Sequence, residues 1–244
     1  LAPEGMASTS HPLSTQAAVN ILQNGGNAMD AALAACAVQA VVEPESTGIG
    51  GDCFCLYSEG GSDKVIALNG SGRAPLGLSA EWLIEQGIHE IPQQSPHAVT
   101  MPTAVDAWVQ LNRDYGSRPL GDLLQPAIKY ARDGFAIGPR VASDFKARAS
   151  LIKGDADASA LYLRDGENYK MGDRFSNPNL AKAMEEIAKH GRDGFYKGWV
   201  ADDILGKLQS LGGLHSAADF DTAIAEYVTP IKTNFRGNLP RISS

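Results

Sequence analysis

Cysteine is scarce, cationic residues are outnumbered, and no long apolar run occurs. The 244 residues include 3 Cys, a number that cannot pair completely. Cys53 and Cys55 sit two apart in a strand-like run with both side chains on one face, a placement that rarely closes into a disulfide. All three are read as small buried hydrophobes in a reducing compartment. Lys and Arg number 21 against 28 Asp and Glu, a formal charge of −7 with a pI near 5.2. That balance disfavours a protein that grips phosphate backbones, so no nucleic-acid partner is expected. The longest apolar run, Ala31 to Val42, covers twelve residues and contains Gln39, short of the roughly 18 to 20 needed to span a bilayer. No membrane span is expected. The histidines (His11, His89, His97, His190, His215) are scattered without paired-ligand spacing, so no metal is expected. Leu1 to Met6 lack the basic start and apolar stretch of a signal peptide. The expected location is the cytoplasm, with the periplasm the alternative if a leader has been removed.

Several catalytic signatures are absent too. Gly48-Ile49-Gly50-Gly51 has Cys53 where a dinucleotide fingerprint needs its third glycine, and the loop follows a helical run and opens a strand, the reverse of that motif. No Gly-Lys-Ser/Thr follows, which excludes a phosphate loop. No Gly-x-Ser-x-Gly occurs, because Asn69-Gly70-Ser71-Gly72 puts glycine at −1 and +1 of the serine.

What is present describes a globular chain, with 43% hydrophobic and 20% charged residues. Gly5 to Pro12 reads as a short strand of small residues. Ser14 reads as the N-cap of a helix carrying Ala17, Ala18, Ile21 and Leu22, stopped by Asn24-Gly25-Gly26-Asn27. A second helix over about Ala28 to Val42 is apolar nearly all round and therefore core. Two strand-like runs, Cys53 to Ser58 and Lys64 to Leu68, form a hairpin. Further helices are expected over Ser79 to Gln86, Thr103 to Tyr115, Leu120 to Asp133, Asn179 to His190 and Lys197 to Leu211. Early strands and late helices predict a mixed α/β (α+β) fold, a single domain over residues 1–244 in which helices cover a sheet.

Two loops could carry chemistry. The Gly48–Gly51 loop is either a structural turn or a cradle for an anion. Ser71 and Arg73 place a hydroxyl and a guanidinium just beyond a core strand, either as a carboxylate site or as a solvated surface turn. His11 beside Pro12 is either a structural residue or a base, and Asp52 a simple cap for the glycine loop.

The motifs together are more specific than any one. Gly5-Met6-Ala7-Ser8 through His11-Pro12-Leu13, Ile21-Leu22-x-x-Gly25-Gly26-Asn27-Ala28-x-Asp30-Ala31-Ala32 and Val42-Glu43-Pro44-x-Ser46-x-Gly48-Ile49-Gly50-Gly51 come in order. Val99-Thr100-Met101-Pro102, Leu123-Leu124-x-Pro126-Ala127, Gly172-Asp173-x-Phe175, Gly194-Phe195-Tyr196 and Asp219-Phe220 follow. This series resembles the large subunit of the gamma-glutamyltranspeptidase family. The resemblance implies the N-terminal-nucleophile hydrolase fold, a four-layer αββα sandwich of which this chain supplies part of the sheets and most helices. It also implies a self-cleaving precursor and a partner small subunit whose first residue, a threonine, is the nucleophile. No catalytic nucleophile is then expected in this chain and no cofactor is needed. The implied chemistry is acyl transfer from a small-molecule amide to water or an amine.

Two departures from the family pattern bear on function. Family transpeptidases carry Asp-x-Arg-Glu-x-Ala-Pro, whose arginine binds the donor's α-carboxylate. Counting back from Pro75, that position is Ser71 and the glutamate position is Gly72, while Arg73 lies two residues later. The resemblance is therefore to the divergent branch that includes cephalosporin-type acylases and oxamate amidohydrolase, with Arg73, Ser71 and His11 the expected substrate-binding residues. The alternatives are a true gamma-glutamyltransferase or glutathione hydrolase, and an inactive member serving as a binding or assembly module. A dimer of heterodimers is left open. The second departure is the pattern change after Gly237, which suggests residues missing near 237–238 and Ser244 close to the self-cleavage point.

Overall fold

The computed structural model describes Ala2, residues 4–233 and the backbone of Arg241–Ile242. The expected gap near 237–238 lies outside the described residues. In chain order the first half runs α1 (Pro12–Gln23), α2 (Ala28–Val42), β1 (Cys53–Tyr57), β2 (Ile66–Gly70), α3 (Ala80–Glu85), α4 (Ala104–Tyr115) and α5 (Leu120–Asp133). Then come β3 (Phe135–Ala136), α6 (Pro139–Ala147), α7 (Ala149–Lys153), α8 (Ala156–Tyr162), β4 (Leu163–Arg164), β5 (Glu167–Asn168) and β6 (Arg174–Phe175). The last elements are α9 (Pro178–His190), α10 (Asp193–Tyr196), α11 (Gly198–Ser210), α12 (Ala217–Thr222), β7 (Glu226–Val228), β8 (Ile231–Lys232) and β9 (Arg241–Ile242). No helix among the described residues is long and apolar enough to cross a membrane.

The chain falls into two compact units, each built from two stretches of sequence. The first comprises Leu1–Gly48 and Gly116–Lys189. Its centre is α2, which packs against α1 and α5. Ala18, Ala31 and Ala35 form the contact, with Ile21 and Leu22 along its margin. Small side chains on both faces let the helix axes approach closely. Asn27 caps α2, accepting from Asp30 N at 2.9 Å, while Asp30 Oδ2 accepts from Asn27 N at 2.9 Å. The buried Asp30 carboxylate reaches further: Oδ1 accepts from Ser117 N at 2.9 Å, tying α2 to the turn before α5.

Three expectations are corrected. Ser14 is not the cap of α1, which begins at Pro12 and is capped by His11, whose Nδ1 accepts from Leu13 N at 3.2 Å. Proline is favoured in the first turn and holds the preceding residue extended, so the cap falls before it; Ser14 lies inside and donates to Ala35 O at 2.7 Å. Residues 4–10 form no strand in the described structure, since a strand needs a paired neighbour. The cysteines are not buried: Cys36 is exposed on the stripe of α2 it shares with Ala32, and Cys53 and Cys55 are half-buried. None of the three is in a disulfide among the described residues.

Helices α6 to α8 lie outside the expected helices, and α6 and α8 contribute rings to an aromatic cluster. Phe135 and Phe175 face each other across β3 and β6, Tyr162 stacks on Phe175 at 5.8 Å, and Phe145 and Tyr169 close the group.

The second unit comprises Ile49–Tyr115 and His190–Ser244. The expected hairpin is present, with β2 central in an antiparallel sheet of order β1-β2-β7 and Cys55 opposite Leu68, Leu68 opposite Tyr227. Helix α4 packs on the hairpin, and Tyr115 at its end meets the rings of Tyr57 and Tyr227. The residues that alternate outward on β1, Phe54 and Leu56, remain 52% and 43% exposed. A buried polar contact ties this unit together: Arg192 Nε donates to Asp106 Oδ1 at 2.7 Å, and Asp106 Oδ2 accepts from Ala225 N at 2.8 Å. Arg192 also donates to the carbonyls of Phe220 and Ala223 and lies over the Tyr196 ring at 4.2 Å.

Candidate functional site

The loop after β2 leaves the sheet at Gly70 and is fixed almost entirely through its backbone. Asn69 Oδ1 accepts from Ser71 N at 2.9 Å, a local turn that starts the loop. Asp52, expected to cap the glycine loop, instead accepts from Gly72 N at 3.0 Å. Met101 N donates to Arg73 O at 2.9 Å, and Thr103 Oγ1 donates to Gly70 O. Beyond Pro75, Leu76 N donates to Asp219 Oδ1 at 2.6 Å. Burial pushes the Asp219 carboxyl up, but hydrogen bonds from Leu76 N and from Ser216 hold it below the usual carboxylate range.

Glycine is required at position 72. A Cβ there would overlap the Met101 carbonyl oxygen and lie 2.8 Å from Thr100 Oγ1. The glutamate of the family's usual loop could not be seated without moving residues 100–101.

The glycine loop serves the same construction. Gly51 O accepts from Thr103 N at 3.1 Å and Ala104 N at 2.9 Å, which satisfies two of the unpaired amides at the start of α4. Of the two readings open for this loop, an anchor for α4 is the one with contacts behind it.

Ser71 and Arg73 are brought together on this clamped turn and both face solvent. Among the described residues the Ser71 hydroxyl has no partner. The Arg73 side chain is 80% exposed, and Nη2 donates to Glu226 Oε1 at 3.0 Å, the guanidinium's one partner among the described residues. Glu226 stands on β7 directly across from Asn69. Its participation was not read from the sequence, where 153 positions separate it from Arg73.

His11 belongs to the first unit and is buried there as the cap of α1, with its ring edge-on to Phe135 at 6.4 Å. Burial lowers its pKa, and the nearby Glu43 carboxylate partly offsets this. It lines a mostly apolar cavity of about 430 Å³ with Glu43, Phe135 and Arg140. Beneath it, Ser10 Oγ donates to Glu43 Oε2 and accepts from Gln39 Nε2 at 2.9 Å. Glu45, beside Asp144 and Glu43, has its pKa pushed up to about 7, chiefly by burial and then by those two carboxylates.

The profile of gamma-glutamyltranspeptidase matches residues 14–239. The chain belongs to the gamma-glutamyltranspeptidase family. Its fold is the N-terminal-nucleophile hydrolase class expected from the sequence. The solved gamma-glutamyltranspeptidase of Helicobacter pylori superposes with a TM-score of 0.94 at 28% identity, covering 100% of this chain and 71% of that one. The glutathione hydrolase-like YwrD proenzyme of Bacillus subtilis is 34% identical over 95% of this chain and 44% of its own length. The oxamate amidohydrolase proenzyme of Klebsiella pneumoniae is 35% identical over 85% of this chain and 40% of its own length. The chain thus spans less than half the length of these curated relatives.

Proposed function

We propose that this chain is the large subunit of an amidohydrolase of the gamma-glutamyltranspeptidase type, acting on a small amide that bears a carboxylate. The observation that carries this reading is the Ser71–Arg73 turn. Its backbone is held by Asp52, Asn69 and Met101, while the hydroxyl and most of the guanidinium are left free for a ligand. A positioned guanidinium binds a carboxylate through charge-assisted, two-point hydrogen bonds. In this reading Arg73 takes the carboxylate and Ser71 donates to it. His11, committed to capping α1, acts on the fold.

The bond-making groups belong to the partner. An N-terminal threonine of the small subunit attacks the amide carbonyl, its own α-amine taking the hydroxyl proton; that amine titrates near roughly pH 8, suitable for the task. Collapse of the tetrahedral intermediate expels the amine product and leaves an acyl ester, which water or a second amine then resolves. The relatives are named proenzymes, which supports a small subunit cut from the same precursor. So does β1, an edge strand presenting exposed Phe54 and Leu56.

The test is made on the processed two-chain protein, with gamma-glutamyl-p-nitroanilide and oxamate as substrates and nitroaniline and ammonia as readouts. Ammonia from oxamate is the expected result, with Arg73→Ala raising KM at least about tenfold and kcat little changed. Nitroaniline alone would favour the glutathione-hydrolase alternative. A partner chain without an N-terminal threonine would sink the catalytic reading.

A further inference from the structure

Arg73 does not wait empty for a ligand. Its Nη2 already donates to a carboxylate, Glu226 Oε1, at 3.0 Å. Both ends of this pair have fixed roots and free tips. The Arg73 backbone is tied to Met101, and Glu226 is held in register across from Asn69. The side chains are 80% and 59% exposed, and the contact is single rather than two-pronged. An ion pair of this kind is weak in water and readily exchanged. An incoming carboxylate can therefore take the place of Glu226 on the guanidinium. The displaced carboxylate stays tethered by β7 beside the new anion.

We infer that Glu226 is a specificity-determining residue of this site: it stands in for the substrate's carboxylate in the free protein and, once displaced, disfavours ligands carrying a second negative charge beside the first. The inference rests on the carboxylate-site reading of Arg73. Like charges held close repel even where solvent screens them, so the tethered Glu226 penalises a dianion more than a monoanion. The pair thus tunes the site toward substrates with one carboxylate next to a neutral amide.

The KM for oxamate and the inhibition constant of oxalate against it, both read from initial rates of ammonia release by the processed two-chain protein, test this, because the two share a skeleton and differ by one charge. The variants are Arg73→Ala, Glu226→Gln and Glu226→Ala. Both positions are exposed, and equal thermal melting of wild type and variants confirms that the fold is kept. Wild type should bind oxamate in preference to oxalate. Glu226→Gln and Glu226→Ala should tighten oxamate about threefold and oxalate about tenfold or more, narrowing the preference. If Arg73→Ala binds like wild type, or wild type binds neither probe, the carboxylate site fails and this inference with it. If Arg73→Ala loses binding while both Glu226 variants keep the wild-type preference or weaken oxamate, the site stands and the role of Glu226 is overturned.

Discussion

Gly72 lies so close to the carbonyl oxygen of Met101 that no side chain can be placed on it. The turn that presents Arg73 is therefore built on a contact between two backbones, and neither backbone can yield alone, since Met101 N is itself bonded to Arg73 O at 2.9 Å. Gly72→Ala should cost about 1 to 3 kcal/mol in stability, as overpacked sites do. Gly72→Glu, which restores the family's usual residue, should cost at least as much and weaken carboxylate binding without restoring gamma-glutamyl turnover. Melting curves and oxamate titration of the two variants check this. A Gly72→Glu protein that melts and binds like wild type would refute the contact.

The Asp106–Arg192 pair should prove the largest single polar contribution to the second unit. Its side chains are 4% and 25% exposed, and both ends also bind backbone atoms of the 220–225 segment. Removing one member leaves an uncompensated buried charge, so Asp106→Ala or Arg192→Ala should lower stability by about 3 to 5 kcal/mol. Arg192→Lys should recover little, because an ammonium lacks the planar fork that serves a carboxylate and several carbonyls while lying over a ring. Chemical denaturation midpoints decide the matter.

Acid should act through Asp30. Burial pushes this carboxyl up, but hydrogen bonds from Ser117, Asn27 and Arg118 outweigh it and hold the pKa below its ordinary 3.8. The folded state thus binds the proton less tightly than the unfolded chain. The stability Asp30 contributes is fully present above about pH 4 and lost as pH falls through its lowered folded value. Asp30→Asn should destabilise by about 1 to 3 kcal/mol at pH 7, with the gap to wild type closing in strong acid. A gap independent of pH would mean that the carboxylate charge plays no part.

Glu45 should act in the opposite sense. Its pKa is raised from 4.5 to about 7, so the folded state prefers the protonated form. Its contribution is fully present below pH 4.5 and is lost as pH rises through about 7. Glu45→Gln should leave the melting temperature unchanged near pH 4 and raise it at pH 8. The gain is on the order of 1 kcal/mol, allowing for solvent screening of a half-buried group. Equal effects at both pH values would refute the raised Glu45 pKa.

The exposed face of β1 makes a further prediction about assembly. Replacing Phe54 and Leu56 with lysine should make the separately expressed chain more soluble and block its recovery with the small subunit. The soluble fraction of the chain expressed alone measures the first effect, and co-purification from the expressed precursor the second.

Much of the architecture could be read from local pattern. Ala28 to Val42 was legible as a buried helix because it is apolar on every face, and the β1–β2 hairpin because two apolar runs flank a glycine turn. The cap of α1 was legible but misread: Pro12 signals the first turn, and that moves the cap from Ser14 to His11. Gly138-Pro139 carried a similar start signal for α6. The strand expected over Gly5 to Pro12 failed for a different reason, since its small residues fix no partner by themselves.

The sequence by itself determined the family, the hairpin, the helices with strong periodicity, and Ser71 and Arg73 as neighbours on one turn. These are short-range properties, set by spacing along the chain. Only the tertiary structure decided that Gly72 must lack a side chain, that Asp52 clamps it, that Arg192 neutralises Asp106, and that Glu226 meets Arg73. Each of these joins positions far apart in sequence, whose side chains meet only after packing has set the distances that charge and hydrogen bonding require.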